Sequence, residues 1–218
     1  LQRKNLVWHA KGEKPIDGAT PSGYTAFDEK LQGGLPNAGV VEVRSPIGIG
    51  ELRLLLPNIM RQAQDRLTVF IQPPGFINAE HMHNQGFNLD KILIVFPNSA
   101  KEALWASEQC LKSGACSAVL FWCQSLEVHH VRRFQVAAEA GNCVHFLLKD
   151  EKTNTLSLPV PLTIQLSPHA SGIEVSIPKR RGGYPLPEFT VDMSFQWPAL
   201  TLAPSSENIL LFPIAKAV

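Results

Sequence analysis

A glycine-containing segment directly follows an apolar run in the first part of the chain. The run is Val40-Val41-Glu42-Val43, and the segment is Ser45-Pro46-Ile47-Gly48-Ile49-Gly50-Glu51-Leu52. This order predicts a strand, a loop and a helix, and the spacing is that of the phosphate-binding pattern G-x-x-x-x-G-K-[ST]. The second glycine of the pattern remains as Gly50, but Ser45 replaces the first glycine, Glu51 replaces the lysine and Leu52 replaces the hydroxyl residue.

These replacements remove the groups that hold a phosphate. In a functional loop, backbone N–H groups and the lysine bind the phosphate oxygens, and the hydroxyl group binds Mg²⁺. Two like charges about 4 Å apart repel by about 1 kcal/mol in water and by about 4 kcal/mol at an effective dielectric near 20. The sequence therefore predicts a degenerate loop that does not bind nucleotide, and no cofactor is expected. The loop positions concerned are Ser45, Gly48, Gly50, Glu51 and Leu52.

Composition is typical of one ordinary domain with appendages. The chain has 218 residues, of which 44% are hydrophobic and 18% are charged, so it can bury a sizeable core. The net charge of +1 argues against a surface built for a polyanion, so DNA binding is expected to be weak or absent. No apolar run reaches membrane-spanning length, and the four cysteines lie in apolar runs without a C-x-x-C pair. We expect a cytoplasmic protein with reduced cysteines, no membrane contact and no metal site.

Short apolar runs alternate with helical patterns through the middle of the chain. The runs show little polar alternation, which is typical of parallel strands buried on both faces. Two helices are clearly marked, one from a capping box at Ser99 and Glu102 to Gly114, and one from about Glu127 to Gly141. The pattern predicts an α/β fold, with a mostly parallel central sheet flanked by helices. The predicted strands are 40–44, 68–71, 92–96, 118–121 and 144–148.

Two parts of the chain depart from this pattern. Pro57 interrupts the helical spacing after the degenerate loop, so that helix is expected to start late or to bend. Beyond Pro159, residues 163–166 and 172–177 are expected to form an antiparallel extension. The segment 183–218 has prolines among apolar residues without a helical or strand period, so it is expected to lie along the surface or to be ordered by a partner. The predicted organisation is an N-terminal extension at 1–19, a core at 20–182 and a tail at 183–218.

Several segments resemble the RecA recombinases. Thr20-Pro21-Ser22-Gly23-Tyr24-Thr25-Ala26-Phe27-Asp28, followed by Gly33-Gly34-Leu35-Pro36, is similar to the segment before the RecA phosphate loop. Ser113-Gly114-Ala115 resembles the approach to the RecA metal-binding strand. Ile177-Pro178-Lys179-Arg180-Arg181 resembles the basic strand end that reaches a neighbouring protomer's nucleotide. The resemblance implies a RecA-like core.

Within that superfamily the chain is similar to ImuA, the RecA-like partner of bacterial mutagenic polymerase cassettes. The SulA division inhibitors share the central part of this resemblance, which spans residues 7–189 in all. The motifs that carry it jointly are Glu51-Leu52-Arg53-Leu54-Leu55-Leu56-Pro57, Pro73-Pro74, Leu104-Trp105-Ala106-Ser107-Glu108-Gln109, Phe134-Gln135-Val136-Ala137-Ala138-Glu139-Ala140-Gly141 and Lys179-Arg180-Arg181-Gly182.

Two further positions of a RecA ATPase are changed. Trp122 follows the strand that should end in a metal-binding Asp, and Gln72-Pro73-Pro74 stands where a water-activating Glu is expected. Together with Glu51, these changes remove three catalytic elements, which favours loss of the whole ATPase. We therefore expect that the protein is not an enzyme. The short connection after Ser125 also argues against independent DNA strand exchange.

The remaining function is that of a binding module, and three possibilities stay open. The ImuA resemblance implies an SOS-induced accessory factor of translesion DNA synthesis that binds a Y-family-like polymerase homologue (ImuB-like) and RecA and works with an error-prone replicative-type polymerase. The alternative is a SulA-type inhibitor that binds the tubulin-like division GTPase FtsZ. SulA proteins generally lack segments equivalent to those before Thr20 and after Leu148, which favours the mutagenesis role. The third possibility, a degenerate enzyme with new chemistry, lacks a nucleophile and base constellation.

Candidate partner contacts lie in the last part of the chain. The three cations Lys179, Arg180 and Arg181 are equally consistent with an interface and with a protected sheet edge. The apolar residues of the tail have no evident intramolecular purpose, which favours partner contacts by Phe189, Phe195, Trp197 and Leu200. Elsewhere, core positions are expected for Trp105 and Trp122 and a solvated helix face for Arg132 and Arg133.

Overall fold

The computed structural model describes residues 18–150 and 157–198. Within these ranges the chain forms ten strands, five α-helices and one 3-10 helix at Leu89–Lys91. The strands are β1 (Ala19–Thr20), β2 (Leu35–Pro36), β3 (Gly39–Arg44), β4 (Leu67–Ile71), β5 (Ile92–Val95), β6 (Cys116–Trp122), β7 (Val144–Lys149), β8 (Leu162–His169), β9 (Gly172–Arg180) and β10 (Leu186–Asp192). The helices are α1 (Thr25–Leu31), α2 (Glu51–Ala63), α3 (Ala79–Asn84), α4 (Ala100–Lys112) and α5 (Val128–Ala140).

Eight of these strands form one sheet in the order β10-β9-β8-β3-β7-β6-β4-β5. The six strands from β8 to β5 are parallel, and β9 and β10 extend the sheet in antiparallel pairing beside β8. Helices α1 and α2 cover one face of the sheet, and α4 and α5 cover the other. The predicted fold class is confirmed. Each predicted strand is present with bounds shifted by a few residues.

The two marked helices begin at their predicted caps. The Glu102 N–H group donates to Ser99 Oγ at 3.2 Å, and the Asn98 N–H group donates to the Glu102 carboxylate at 2.9 Å. Gly141 follows α5, and a Cβ atom there would lie 1.9 Å from the carbonyl oxygen of Leu111. Only glycine lets the ends of α4 and α5 approach so closely. Among the described residues, no helix combines the length and apolar character that crossing a membrane requires.

The expected core position of Trp105 is wrong. Ala103, Ser107 and Leu111 form the buried face of α4. Trp105 falls on the opposite side of the helix and is 64% exposed. On α5, Arg132 and Arg133 are exposed as expected.

Helix α2 does not start late, because it begins at Glu51 and continues through Pro57 to Ala63. A proline within a helix leaves the carbonyl group four residues earlier without its N–H donor. Here that carbonyl belongs to Arg53, and the hydroxyl group of Tyr24 donates to it at 3.0 Å. The hydroxyl group supplies the missing hydrogen bond, so the helix tolerates Pro57.

The first part of the predicted tail belongs to the sheet. Residues 186–192 form the edge strand β10, which pairs with β9 in antiparallel register. The register shifts between Leu186 and Phe189, around Pro187, and an irregular edge strand is where a sheet accepts proline. Pro187 interrupts the alternating pattern of a strand, and for this reason β10 was not predicted from the sequence. The predicted boundary between 182 and 183 therefore passes between two paired strands.

Candidate functional site

The degenerate loop closes on its own carboxylate. Gly50 is the N-cap of α2, and its N–H group donates to Glu51 Oε2 at 3.2 Å. The Gly48 N–H group makes a longer contact of 3.5 Å to Glu51 Oε1. Both glycines have φ in the left-handed region, 84° and 105°, which lets these N–H groups turn toward the carboxylate. The side chain that replaces the phosphate-binding lysine thus accepts hydrogen bonds from the amides that would face a phosphate.

Arg53 makes a second contact that holds the loop. The Arg53 guanidinium donates to the Ile49 carbonyl at 3.0 Å. It also lies against Gly50, where a Cβ atom would come within 2.3 Å of the guanidinium. Because Arg53 and Glu51 both hold the loop, its conformation is fixed by side chains of α2 rather than by a ligand.

A cleft of about 660 Å³ opens beside this loop at the carboxyl ends of the parallel strands. In open α/β sheets, ligands and partners are commonly bound at this end of the strands. We call this end of the molecule the carboxyl-end face. Cleft residues come from the ends of β3, β4, β6 and β7 and from the starts of α2 and α4; they include Ser45, Glu51, Gln72, Pro74, Leu104, Trp122, Cys123 and Lys149.

The two positions compared with the RecA metal and base residues both line the cleft. Trp122 ends β6 and stacks on Phe70, with ring centroids 6.3 Å apart and planes inclined by 20°. Pro74 lies in the loop after β4 and is exposed. The cleft wall is therefore apolar at positions where a nucleotide-hydrolysing site would carry carboxylates. The sequence motifs placed all of these residues at one site, and the structure brings them together.

A buried ion pair lies under the cleft and was not predicted from the sequence. Glu42 of β3 and Lys149 of β7 lie 3.2 Å apart, with side chains that are each 1% exposed. Arg44 Nη2 donates to the same carboxylate at 3.0 Å, and Thr163 Oγ1 of β8 donates at 3.1 Å. Three polar groups from three adjacent strands thus share one buried carboxylate. The signal in the sequence was the single acidic residue of the run Val40-Val41-Glu42-Val43.

The thiol of Cys123 is close to this charged group. Burial raises the pKa of the Cys123 thiol to about 12, and the opposing charges of Lys149 and Glu42 make smaller contributions. A thiol with so high a pKa is not a nucleophile near neutral pH. The cleft therefore offers a neutral thiol, and the buried Lys149 beneath it is paired with Glu42.

Three large apolar side chains lie exposed on the loops at the carboxyl-end face. Ile47 follows β3, Phe76 follows β4 and Phe96 follows β5. They are 59%, 98% and 59% exposed, respectively. Phe76 and Phe96 follow the adjacent strands β4 and β5, whereas Ile47 follows β3, two strands further away, and all three are candidates for contacts with a protein partner. Sequence reasoning missed them because an apolar residue in a short loop gives no signal of its exposure, even where, as for Ile47, the loop carries a motif.

The three predicted cations differ in how they are placed. Lys179 donates from Nζ to the carbonyl oxygen of Leu158 at 2.8 Å. Arg180 is buried, and its Nη1 donates to the Lys30 carbonyl oxygen at 3.0 Å. Arg181 is exposed. Arg180 therefore ties β9 to the end of α1, and whether these cations form an interface or protect a sheet edge stays open.

The apolar residues predicted to contact a partner also differ in their placement, because some pack on the core and another is exposed. Phe189 packs on Phe27, with ring centroids 6.3 Å apart. Trp197 is buried, and its Nε1 donates to the Tyr24 hydroxyl at 3.0 Å. Phe195 is exposed. Leu200 lies outside the described residues. An intramolecular role thus exists for Phe189 and Trp197, contrary to the expectation that the tail had none.

Comparison with known proteins relates this arrangement to two groups. The family model described as Cell division inhibitor SulA matches residues 41–145, which runs from β3 to the start of β7. A Cell division inhibitor SulA from Photorhabdus laumondii is 32% identical over 101 residues, covering 45% of this chain and 56% of that protein. The central part of the chain is thus similar to SulA.

The RecA similarity is of comparable extent along this chain. Protein RecA from Frankia alni is 28% identical over 109 residues, 49% of this chain and 32% of that protein. Protein RecA from Oceanobacillus iheyensis is 30% identical over 118 residues, 53% of this chain and 34% of that protein. The chain thus spans little more than half of the SulA relative and about a third of these RecA proteins. The SulA and RecA resemblance is confirmed at this level, and the finer ImuA resemblance stays a prediction.

Proposed function

We propose that this chain is a non-catalytic, protein-binding factor of the bacterial SOS response, and that its binding surface is the carboxyl-end face. The observation that carries the proposal is the hydrogen bonding of the Gly48 and Gly50 amides to the Glu51 carboxylate. A phosphate would have to displace an anion that is covalently part of the loop. Apolar Trp122 and Pro74 supply neither a metal ligand nor a base, so the cleft favours contact with a protein over phosphoryl transfer.

The comparisons favour a SulA-type role, which is inhibition of cell division through FtsZ. The segment that matches the SulA family model contains the whole degenerate loop, Trp122 and Pro74. It also contains all three exposed apolar residues of the carboxyl-end face, Ile47, Phe76 and Phe96. The region similar to SulA therefore contains the surface that we propose for docking.

The test is inhibition of FtsZ polymerisation by the purified full chain. We expect GTP-dependent polymer formation, followed by light scattering, to fall as the chain is added in stoichiometric amounts. The variant Phe76→Glu with Phe96→Glu should lose at least tenfold in inhibition, because both charges would enter an apolar contact. Val136→Glu is the matched control, since Val136 is also an exposed apolar residue, 68% exposed, but lies on α5. Full polymerisation in the presence of the wild-type chain would rule out this role.

The translesion role is the second candidate, and a different observation favours it. Strands β8, β9 and β10 follow the residues that match the SulA model, and they complete the sheet beside β3. The ImuA resemblance extends into this region through Lys179-Arg180-Arg181-Gly182 at the end of β9, whereas the SulA resemblance is central. A larger RecA-like body could present a protomer-like face to RecA or to an ImuB-like polymerase homologue.

Direct binding measurements separate the two candidates. The full chain would be tested by biolayer interferometry against FtsZ, against RecA on single-stranded DNA and against the ImuB-like polymerase homologue. Micromolar or tighter binding to RecA or to the polymerase homologue, without binding to FtsZ, supports the translesion role. Binding to FtsZ alone supports the division role. Binding to none of the three would contradict both.

A further inference from the structure

A second, smaller pocket lies beside α2 and is separate from the cleft. Its volume is about 200 Å³, and it shares no lining residue with the cleft. Its wall is formed by residues of α2, of the segment before α1, of the segment after α3 and of the turn after β10. Pockets for cofactors and drug-sized ligands are commonly about 300–1,000 Å³. This pocket therefore has room for one large side chain but not for a nucleotide.

Apolar side chains form most of the wall of this pocket. Leu56, Phe87 and Trp197 are buried and belong to the packed core. Met60 also lines the pocket but is 38% exposed, and its flexible thioether can adapt to a side chain that enters. Sulfur atoms and indole rings both make favourable contacts with aromatic rings. The wall thus favours a phenylalanine or another large apolar side chain.

A positive charge accompanies this apolar wall. Among the described residues that line the pocket, Arg61 alone is charged, and it is exposed. Its Nη1 donates to the Pro21 carbonyl oxygen at 3.0 Å, which holds the guanidinium in place. A guanidinium has five N–H donors, so others remain for a carboxylate. The carboxylate of Asp28 is nearby but accepts from the Ser22 and Gly23 N–H groups at 2.7 and 3.3 Å.

Hydrogen bonds between its walls fix the shape of the pocket. The Gln196 amide donates to the Gly23 carbonyl oxygen at 3.2 Å, and the Trp197 indole donates to the Tyr24 hydroxyl at 3.0 Å. Both bonds join the turn after β10 to the segment before α1. A Cβ atom at position 23, where φ is 97°, would lie 3.0 Å from Arg61 Nη1, so glycine leaves room for the guanidinium. A site that is already formed loses less conformational freedom on binding.

We propose that this pocket is a docking site for a segment of a partner protein in which a phenylalanine or another large apolar side chain stands next to an aspartate or glutamate. The apolar side chain contacts Met60 and Trp197, and the carboxylate pairs with Arg61. Burial of an aromatic anchor beside an arginine is typical of the few residues that carry most of the binding energy of an interface. Arg61 repels a basic segment, so the charge selects an acidic one. This site is additional to the carboxyl-end face.

Short peptides test the pocket in the full chain before the partner is known. The probe is acetyl-Phe-Asp-amide, titrated into the ¹⁵N-labelled chain and followed by NMR at the Trp197 indole N–H and the Gly23 backbone N–H. We expect saturable shifts of both signals, with a dissociation constant of about 1 mM or below. Acetyl-Phe-Asn-amide lacks the charge and acetyl-Ala-Asp-amide lacks the ring, so each should bind about tenfold more weakly.

Variants assign the binding to Arg61 and Met60. Arg61→Gln should weaken binding of acetyl-Phe-Asp-amide about tenfold and leave that of acetyl-Phe-Asn-amide unchanged, a difference that a general loss of structure would not produce. Arg61→Lys keeps the charge and should keep the preference for Asp, so it serves if the glutamine variant does not fold. Met60→Glu should abolish binding of both peptides. The matched controls, Arg132→Gln and Val136→Glu on exposed positions of α5, should bind as the wild type does.

Three results would overturn the proposal. They are the absence of binding to the full chain, equal affinity for the Asp and Asn peptides, and losses in the α5 controls as large as that of Arg61→Gln. Circular dichroism would confirm that each variant is folded. Because the peptides report on this pocket alone, their failure to bind would leave the carboxyl-end face and the test with FtsZ unaffected.

Discussion

The loop after β3 and the strand β10 are both departures from a simple α/β pattern, and they differ in what holds them. The loop is held by neighbours in sequence, because Glu51 and Arg53 bond to backbone groups at positions 48, 49 and 50. Strand β10 is held by distant residues, through pairing with β9 and packing of Phe189 on Phe27.

This difference explains why one region was understood from sequence and the other was not. When Glu51 replaces the lysine of the phosphate-binding motif, the expected loss of phosphate binding follows from the motif alone. The role of β10 depends on its pairing with β9, which precedes it across a turn. Pro187 interrupts the alternation of residues that would mark β10 as a strand. A segment that looks like a free apolar tail can therefore be the edge of the core.

Deleting residues 183–218 tests most directly whether β10 is part of the folded core. That deletion removes the edge strand and the buried side chains of Val191, Met193 and Trp197. Each buried side chain contributes about 1.5–3 kcal/mol, and total stability is about 5–15 kcal/mol. We expect the truncated chain to be unfolded or insoluble by circular dichroism and size-exclusion chromatography.

The matched control ends the chain after Pro198. It retains every described contact of β10 and of Trp197, so we expect cooperative unfolding in urea with a midpoint close to that of the full chain. A stable, soluble chain that ends at residue 182 would show that β10 is only an appendage. The core would then fold without β10, and the contrast with the locally held loop after β3 would be lost.

The second prediction concerns the ion pair beneath the loop. Lys149→Met removes the buried one of the two cations that contact the Glu42 carboxylate and leaves only the less buried Arg44, and breaking a buried pair costs up to about 3–5 kcal/mol. The double variant Glu42→Leu with Lys149→Met removes both charges and should recover most of that loss. Urea denaturation of the two variants measures both values, with exposed Lys101→Met as the control. Equal destabilisation by the single and double variants would contradict the pairing.

The third prediction tests the link between the two regions. The Tyr24 hydroxyl donates to the Arg53 carbonyl of α2 and accepts from Trp197 Nε1 beyond β10. Tyr24→Phe leaves both partners without a hydrogen bond, and each unsatisfied buried group costs about 1–3 kcal/mol. Tyr184→Phe, which alters an exposed tyrosine, should change the free energy of unfolding by less than about 0.5 kcal/mol. If both variants unfold at the same urea concentration, the hydroxyl group does not join α2 to the C-terminal turn.

The sequence predicted what local patterns encode. Uninterrupted apolar runs gave the parallel strands, Ser99 and Glu102 gave the start of α4, and the altered loop gave the character of the cleft. It did not predict the partners of Glu42, because those depend on the register that aligns Arg44 with Lys149 and Glu42 with Thr163. Nor did it predict that Tyr24 supplies the hydrogen bond missing at Pro57, since the two residues are 33 positions apart.

The smallest expected effect is that of nucleotide on the wild-type chain. A ligand at 100 times its dissociation constant stabilises a protein by about 2.7 kcal/mol, which a thermal shift readily shows. With the Gly48 and Gly50 amides already bonded to Glu51, we expect no shift with millimolar ATP and Mg²⁺. Glu51→Ala frees these amides and removes the repelling charge, so that variant should gain a small shift with inorganic phosphate, whereas Glu102→Ala, which removes another helix-start carboxylate, should not. A clear ATP shift in the wild-type chain would mean that the loop opens to admit a nucleotide. The contacts of Glu51 and Arg53 would then not be enough to fix the loop, and its conformation, like that of β10, could not be predicted from neighbouring residues in the sequence.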